Sequence, residues 1–317
     1  MVNSSGFFLL LINIILIRIR TSSVLIQWVC LEVSMLCVIP ILINFSLNKG
    51  VKLAVKYFIS QNPASILLVI RILSINKIPL CGPLFIVSVI FKLGLPPFQG
   101  WVLNILCSVN FWSLFLLLSV QKFIPLILLR EVGLSSSLIG FSLAIYTVMI
   151  IILIIIINSS YYLLFLSSVL NVYWILGVLS ISTTWIDFIM LYCLISARFI
   201  FILHRSGRVI MRDFNLSSGL TKLLVIIILL NIRGIPPLTG FIIKLIILKL
   251  MARSYYFYTR ALLISSVLII YVYLMIRYQL NRFKGHHIKF NNLHSIKGGI
   301  MLVAIGLFPL IPLAVLI

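Results

Sequence analysis

The sequence predicts an all-α integral membrane protein of about eleven transmembrane helices. Three observations carry that expectation. Apolar residues make up 63% of the 317 residues and charged residues only 9%, more hydrocarbon than a soluble fold can hide. The apolar residues fall in runs of membrane-spanning length, one after another along the chain. One seven-residue pattern, Gly-x-Pro-Pro-x-x-Gly, then interrupts two of those runs: Gly94-Leu95-Pro96-Pro97-Phe98-Gln99-Gly100 and Gly234-Ile235-Pro236-Pro237-Leu238-Thr239-Gly240. No stretch has the composition of a soluble domain or a flexible linker. Residues 1–317 are therefore expected to form one transmembrane domain.

In chain order, the helices are expected at about 5–20, 24–46, 54–73, 80–106, 109–130, 137–157, 161–181, 184–204, 220–251, 258–279 and 299–317. The first ends on Arg18 and Arg20. The second carries Glu32 on an otherwise apolar face, then Pro40, which should kink it. The third has Lys56 and Gln61 near its start and Arg71 near its end. The fourth contains the first Gly/Pro break, with Lys92 two residues ahead of it. The fifth holds Lys122 near its middle and Pro125 one turn on. The ninth contains the second break, with Lys244 four residues past its last glycine. Trp28, Tyr161, Tyr162, Tyr255 and Tyr256 lie near helix ends, where aromatic rings anchor at the membrane interface. Asp187 and Arg198 lie near the ends of the eighth helix and suit snorkelling. The longest polar loops, 205–219 and 281–298, are basic, but basic residues occur on both sides, so charge fixes no orientation.

The net charge of +21 does not indicate nucleic acid, because the cations are scattered through short inter-helix loops and form no basic module. The five cysteines show no CxxC spacing, so neither a metal site nor a disulfide framework is expected. The four histidines (His204, His286, His287, His294) are expected in loops, which argues against haem ligation in the bundle. There is no phosphate-binding glycine loop, no dinucleotide fingerprint and no catalytic triad. No cofactor or metal site is expected in this chain. Arg18 and Arg20 follow the first apolar run instead of preceding it, unlike a signal peptide. No transit peptide is evident, so an organellar version would be made inside the organelle.

Only four acids occur, so ionisable groups inside helices stand out. Glu32, Lys92, Lys122 and Lys244 are the candidates. A charge at the bilayer centre costs about 2.5–3.5 kcal/mol on insertion scales and normally faces the bundle interior or a hydrated cavity. Three lysines and one glutamate suit a proton relay. In general, a dry environment lowers a lysine's pKa and a nearby carboxylate raises it again. At about 7 Å and an effective dielectric near 20, the two charges attract by roughly 2–3 kcal/mol, about two pKa units. The breaks supply a second reason. Pro96, Pro97, Pro236 and Pro237 have no N–H, so carbonyls one turn back are freed, and water is a suitable partner for them. Paired broken helices in two halves of a chain point to the working site of a transporter.

At this point the residues resemble a known family. Trp28-Val29-Cys30-Leu31-Glu32-Val33-Ser34-Met35-Leu36 with Pro40 is similar to a segment of chain 2 of mitochondrial NADH:ubiquinone oxidoreductase, respiratory complex I. The match continues through Val55-Lys56-Tyr57-Phe58 with Gln61, then Phe91-Lys92-Leu93-Gly94 with Pro97, Phe98 and Trp101. Gln121-Lys122 with Pro125 follows, and Gly234 to Phe241 with Lys244 closes it. The likeness runs from about 28 to 250 in order and spacing. Three positions depart from the family pattern: Gln99 stands where a histidine is frequent, Leu103-Asn104 where Pro-Glu is common, and Tyr161-Tyr162 where a basic pair is usual.

The resemblance implies an antiporter-like fold, with two inverted repeats of five helices that each contain one discontinuous helix. It implies a proton-translocating subunit of the mitochondrial inner membrane, multi-pass, with other membrane-arm subunits of complex I and the lipid bilayer as partners. Glu32 would tune Lys92, Lys122 would connect the halves, and Lys244 would serve the second half-channel. NADH, FMN, iron–sulfur clusters and ubiquinone would belong to partner subunits. Two other readings stay open: a stand-alone cation/proton antiporter, and a membrane scaffold whose buried charges only pin helices. A sister chain of the same complex fits less well, because those chains are longer and keep histidines inside helices.

Overall fold

The computed structural model describes residues 4–21, 23–45, 50–74, 81–106, 109–132, 136–156, 160–179, 181, 184–206, 228, 230–232, 234, 239–251 and 256–282. Among them every regular element is helical: α1 (Ser4–Arg20), α2 (Val24–Phe45), α3 (Gly50–Ser74), α4 (Cys81–Leu93), α5 (Gly100–Leu106), α6 (Phe111–Leu118), a 3-10 turn (Val120–Lys122), α7 (Phe123–Val132), α8 (Ser136–Ile156), α9 (Ser160–Val178), α10 (Thr184–Ser206), α11 (Thr239–Met251) and α12 (Tyr256–Arg282). Four stretches among the described residues are long and apolar enough to cross a membrane: Leu25–Asn44, Gly50–Leu73, Trp112–Arg130 and Thr184–Phe201. The chain is a helical, multi-pass membrane protein. The last expected helix, 299–317, lies outside the described residues, as do His286, His287 and His294.

The chain forms two compact units, Met1–Tyr146 and Thr147–Ile317. In the first, α1, α2, α3 and α4 pack in sequence, each on the next, and α7 touches α1, α2 and α4. The packing leaves apolar stripes on the outside. On α2, Leu25, Val29, Val33 and Leu36 are exposed, while Cys30, Leu31, Met35 and Val38 are buried. On α3, Val51, Val55, Ile59, Ile66 and Ile70 are exposed, while Ala54, Tyr57, Ala64 and Leu68 are buried. The steps of three, four and seven residues are those of one helix face, and lipid is the solvent that tolerates such a face. Pro40 and Pro63 lie within α2 and α3, each of which continues through its proline.

The second unit is organised around α9. Every residue from Leu164 to Leu179 is buried, as expected of a helix that is apolar all round. It packs against α10, α11 and α12. Tyr258 of α12 donates a 2.8 Å hydrogen bond to the Tyr173 carbonyl.

Two expectations are revised, and the end of α1 adds a distinction between its two arginines. The fifth expected helix is not continuous: α6 ends at Leu118, and Lys122 closes a 3-10 turn before α7. Pro125 accounts for part of this, because its ring cannot accept the carbonyl of Gln121 in an α-helical turn. His204, expected in a loop, lies in the last turn of α10. Arg18 and Arg20 share the last turn of α1, but two residues on a helix are roughly 200° apart. Arg20 is exposed, whereas Arg18 is fully buried and donates from Nη1 to the Thr21 carbonyl at 3.0 Å.

Candidate functional site

The first break is a helix stop built from backbone. Gly94 has φ +66°, the left-handed conformation that glycine adopts without strain. That residue turns the chain so that the Leu95 N–H reaches the Ile90 carbonyl and the Gly94 N–H reaches the Phe91 carbonyl, both at 3.1 Å. This pair of bonds is a Schellman cap, which satisfies carbonyls at a helix end. Pro96 and Pro97, joined by a cis peptide bond, form the turn that follows, closed by the Phe98 N–H on the Leu95 carbonyl at 2.8 Å. Gln99, at the position where the family favours histidine, offers its carbonyl to the N–H groups of Val102 and Leu103 and so starts α5. Trp101 reaches back across the break, its Nε1 donating to the Phe91 carbonyl at 3.1 Å.

This stop places Lys92 in the last turn of α4. A helix C-terminus carries partial negative charge and favours a cation. Glu32 of α2 completes the site: Lys92 Nζ lies 3.1 Å from Glu32 Oε1. The lysine side chain is 5% exposed and the glutamate side chain 21%. At an effective dielectric near 20, that separation gives an attraction of about 5 kcal/mol before desolvation, roughly double that of charges 7 Å apart. Glu32 sits at the edge of the buried face of α2, which lets it turn inward to Lys92.

Lys122 belongs to the same unit. It is 7% exposed, and its backbone N–H bonds to the Ser119 carbonyl at 3.1 Å. The residue before it, Gln121, meets Tyr57 of α3 through its side chain.

The second break repeats part of the first. Gly234 has φ +71°, and its N–H bonds to the Asn231 carbonyl at 3.0 Å, the same three-residue step as Gly94 to Phe91. Pro236 and Pro237 lie outside the described residues. The Asn231 side chain does what Trp101 does in the first break, by another route. Its Oδ1 accepts the Gly240 N–H at 3.0 Å and so satisfies an N–H at the start of α11.

Lys244, 7% exposed, comes from the helix after the break. It points back so that Nζ lies 3.4 Å from the Ile232 carbonyl. Counting from the two left-handed glycines, Ile232 occupies the position of Lys92. Nζ also stands 5.9 Å from the centre of the Trp174 ring of α9, within cation–π range. Asn171, Tyr192, Asn231 and Lys244 bring polar groups to a cavity of ≈ 20 Å³ inside this unit, otherwise lined by apolar side chains. Such a space holds about one water, with enough polar partners to fix it.

The structure thus brings Glu32 and Lys92 together, holds Lys122 nearby in sequence to a Tyr57–Gln121 contact, and sets Lys244 in its own buried polar site. Sequence reasoning gave no role to Asn231, Tyr57 or Trp174. Asn231 had a signal: three residues ahead of each left-handed glycine, the first copy has Phe91 and the second has a side chain able to cap.

No protein-family model matches the chain. It is 28% identical over 256 residues to NADH-ubiquinone oxidoreductase chain 2 of Oryctolagus cuniculus, covering 75% of this chain and 74% of that protein. The protein of the same name from Cardioderma cor is 29% identical over 282 residues, 83% of this chain and 81% of the other. That of Myxine glutinosa is 28% identical over 278 residues, 81% and 80%. In fold, the chain is similar to one in the structure of respiratory complex I from Thermus thermophilus with bound aureothin (TM-score 0.71, 18% identity, 92% of this chain and 74% of that one). It is also similar to one in the membrane-bound sulfane sulfur reductase, an archaeal respiratory membrane complex (TM-score 0.74, 16% identity, 97% and 73%). Over about four fifths of its length, the chain is thus similar to NADH-ubiquinone oxidoreductase chain 2 proteins.

Proposed function

We propose that this chain is a proton-translocating membrane subunit of respiratory complex I, NADH:ubiquinone oxidoreductase, in the mitochondrial inner membrane. The observation that carries the reading is the Glu32–Lys92 pair, 3.1 Å apart and set at a helix stop, in a chain similar over most of its length to chain 2 proteins. In this reading Glu32, Lys92, Lys122 and Lys244 form the relay. The fold has about eleven helices in two inverted repeats, each with one break. NADH, FMN, iron–sulfur clusters and ubiquinone belong to partner subunits, and this chain performs no redox step. Other membrane-arm subunits flank it.

The geometry supports a charge-exchange step. While Lys92 faces Glu32, each balances the other in a poorly hydrated place. Separating them leaves two uncompensated charges, so each must find a new partner or change its protonation state. Quinone reduction elsewhere in the complex would supply the energy for that separation. The freed carbonyls and water at the breaks would supply the path.

The test uses the assembled complex in proteoliposomes. Lys92→Ala and Lys244→Ala should each lower NADH:ubiquinone reductase activity and proton pumping together, by roughly tenfold or more, with complex content unchanged. Full turnover with full pumping in both variants would refute the relay. Vigorous Na⁺ or K⁺ exchange for H⁺ by the isolated chain would favour a stand-alone antiporter instead.

A further inference from the structure

Tyr57 is buried on α3, the helix that packs against both α2 and α4 and touches α5. Its ring lies 6.0 Å from that of Trp101, centre to centre, at 57°. Trp101 in turn holds the Phe91 carbonyl, one residue before Lys92. On its other side, the Tyr57 hydroxyl meets Gln121, one residue before Lys122. Tyr57 therefore touches Gln121, the neighbour of Lys122, and reaches Phe91, the neighbour of Lys92, through Trp101.

The contact with Gln121 has an unusual property. The hydroxyl oxygen lies 2.9 Å from Gln121 Oε1 and 2.6 Å from Gln121 Nε2. A hydroxyl has one hydrogen and two lone pairs, and an amide offers both an acceptor and a donor. The same heavy atoms can therefore hold either of two bonds. The hydroxyl can donate to Oε1, or it can accept from Nε2 and leave its hydrogen free to turn elsewhere.

We propose that Tyr57 is a positioning residue that ties the Glu32–Lys92 pair to Lys122, through a hydrogen bond to Gln121 whose direction reverses. When Lys92 balances Glu32, the hydroxyl donates to Gln121 Oε1. When the pair separates, the uncompensated carboxylate draws the hydroxyl hydrogen toward itself, and the Tyr57 oxygen accepts from Gln121 Nε2. The amide's dipole is then held against a different partner. Gln121 lies within the 3-10 turn Val120–Lys122, so the change is delivered to the element that carries Lys122. No heavy atom of Tyr57 needs to move. The inference rests on the relay reading above and assigns one coupling step within it.

The experiment compares variants in the assembled complex. Tyr57→Phe keeps the ring against Trp101 and removes only the hydroxyl. It should slow ubiquinone reduction and proton pumping about threefold to tenfold, with complex content unchanged. Gln121→Glu keeps an acceptor and removes the N–H donor, which locks the hydroxyl as a donor, and should slow both to a similar degree. The infrared C–O stretch of tyrosine reports whether the hydroxyl donates or accepts. A band absent from Tyr57→Phe should shift when Lys92→Ala leaves the Glu32 carboxylate uncompensated, and should stay fixed in the Gln121→Glu background. A purely packing role would not move this band. Native turnover in Tyr57→Phe, with Lys92→Ala slow, would overturn the coupling and leave the relay standing. Native turnover in both would remove the relay and the coupling with it. If Tyr57→Phe fails to assemble, native turnover in an assembled Gln121→Glu complex overturns the proposal, and slow turnover in it supports it.

Discussion

Replacing Gly94 with alanine perturbs the first break at the residue on which its geometry depends. Two costs add. At φ +66° an L-residue is destabilised by about 1–2 kcal/mol relative to glycine. The new methyl would also strike Cγ2 of Val102 and lie 3.3 Å from Cζ2 of Trp101. Forcing an extra carbon into a filled site costs about 1–3 kcal/mol. The sum is roughly 2–5 kcal/mol. Val102 cannot retreat alone, because its backbone N–H is fixed to Gln99 at the start of α5. Trp101 would be displaced too, and with it the bond to the Phe91 carbonyl beside Lys92. Gly100, in the same motif, is the control. It is exposed, a methyl there would have no neighbour within 4 Å, and it begins α5. Alanine at that position should be neutral or stabilise by up to about 1 kcal/mol through helix propensity. The assay is the heat-inactivation midpoint of the assembled complex, together with the amount of chain incorporated. Gly94→Ala should lower both, and Gly100→Ala should lower neither. Equal behaviour of the two variants would refute the asymmetric role of the glycines.

The other expectations use the same assays. Asn231→Ala removes the acceptor for the Gly240 N–H and should cost about 0.5–2 kcal/mol, with Asn231→Asp recovering part of the loss. Gly240→Ala should be destabilising, unlike Gly100→Ala, because its methyl would strike the Asn231 carbonyl oxygen; a neutral result would show that the second break is looser than described. Activity measurements on Lys92→Ala and Lys244→Ala decide the relay, and those on Tyr57→Phe decide the coupling.

Much of the fold was legible because membrane helices leave a plain record. Long apolar runs with few charges admit one structure, and α2, α3 and α10 lie close to where their runs predicted. The 3-10 turn before Pro125 was less legible, because a proline near a span is compatible with a kink, a break or no visible change. The burial of Arg18 was not legible from its position along the helix, because it depends on which way the side chain faces at the last turn. The two Gly/Pro breaks could be found by repetition alone. The Glu32–Lys92 contact could not, since sixty residues separate the partners and no periodicity links them. Family resemblance, not spacing, proposed that pair. Tyr57 and Asn231 carry side chains common in any helix, and only their tertiary neighbours mark them out.

The two lysines differ in sequence more than they differ in place. Lys92 lies two residues ahead of its left-handed glycine. Lys244 lies after its own, but its ammonium returns to a carbonyl twelve residues upstream, at the position equivalent to Lys92. Both charges thus come to rest at the C-terminal end of the segment that precedes a break. What the two breaks share is a seat for a cation at a helix stop, completed by the Glu32 carboxylate for Lys92 and by the Ile232 carbonyl for Lys244. The occupant can arrive from either side of the stop. An alignment that matches lysine to lysine would find no repeat here, whereas one that matches helix ends would find two copies of a single binding place for positive charge.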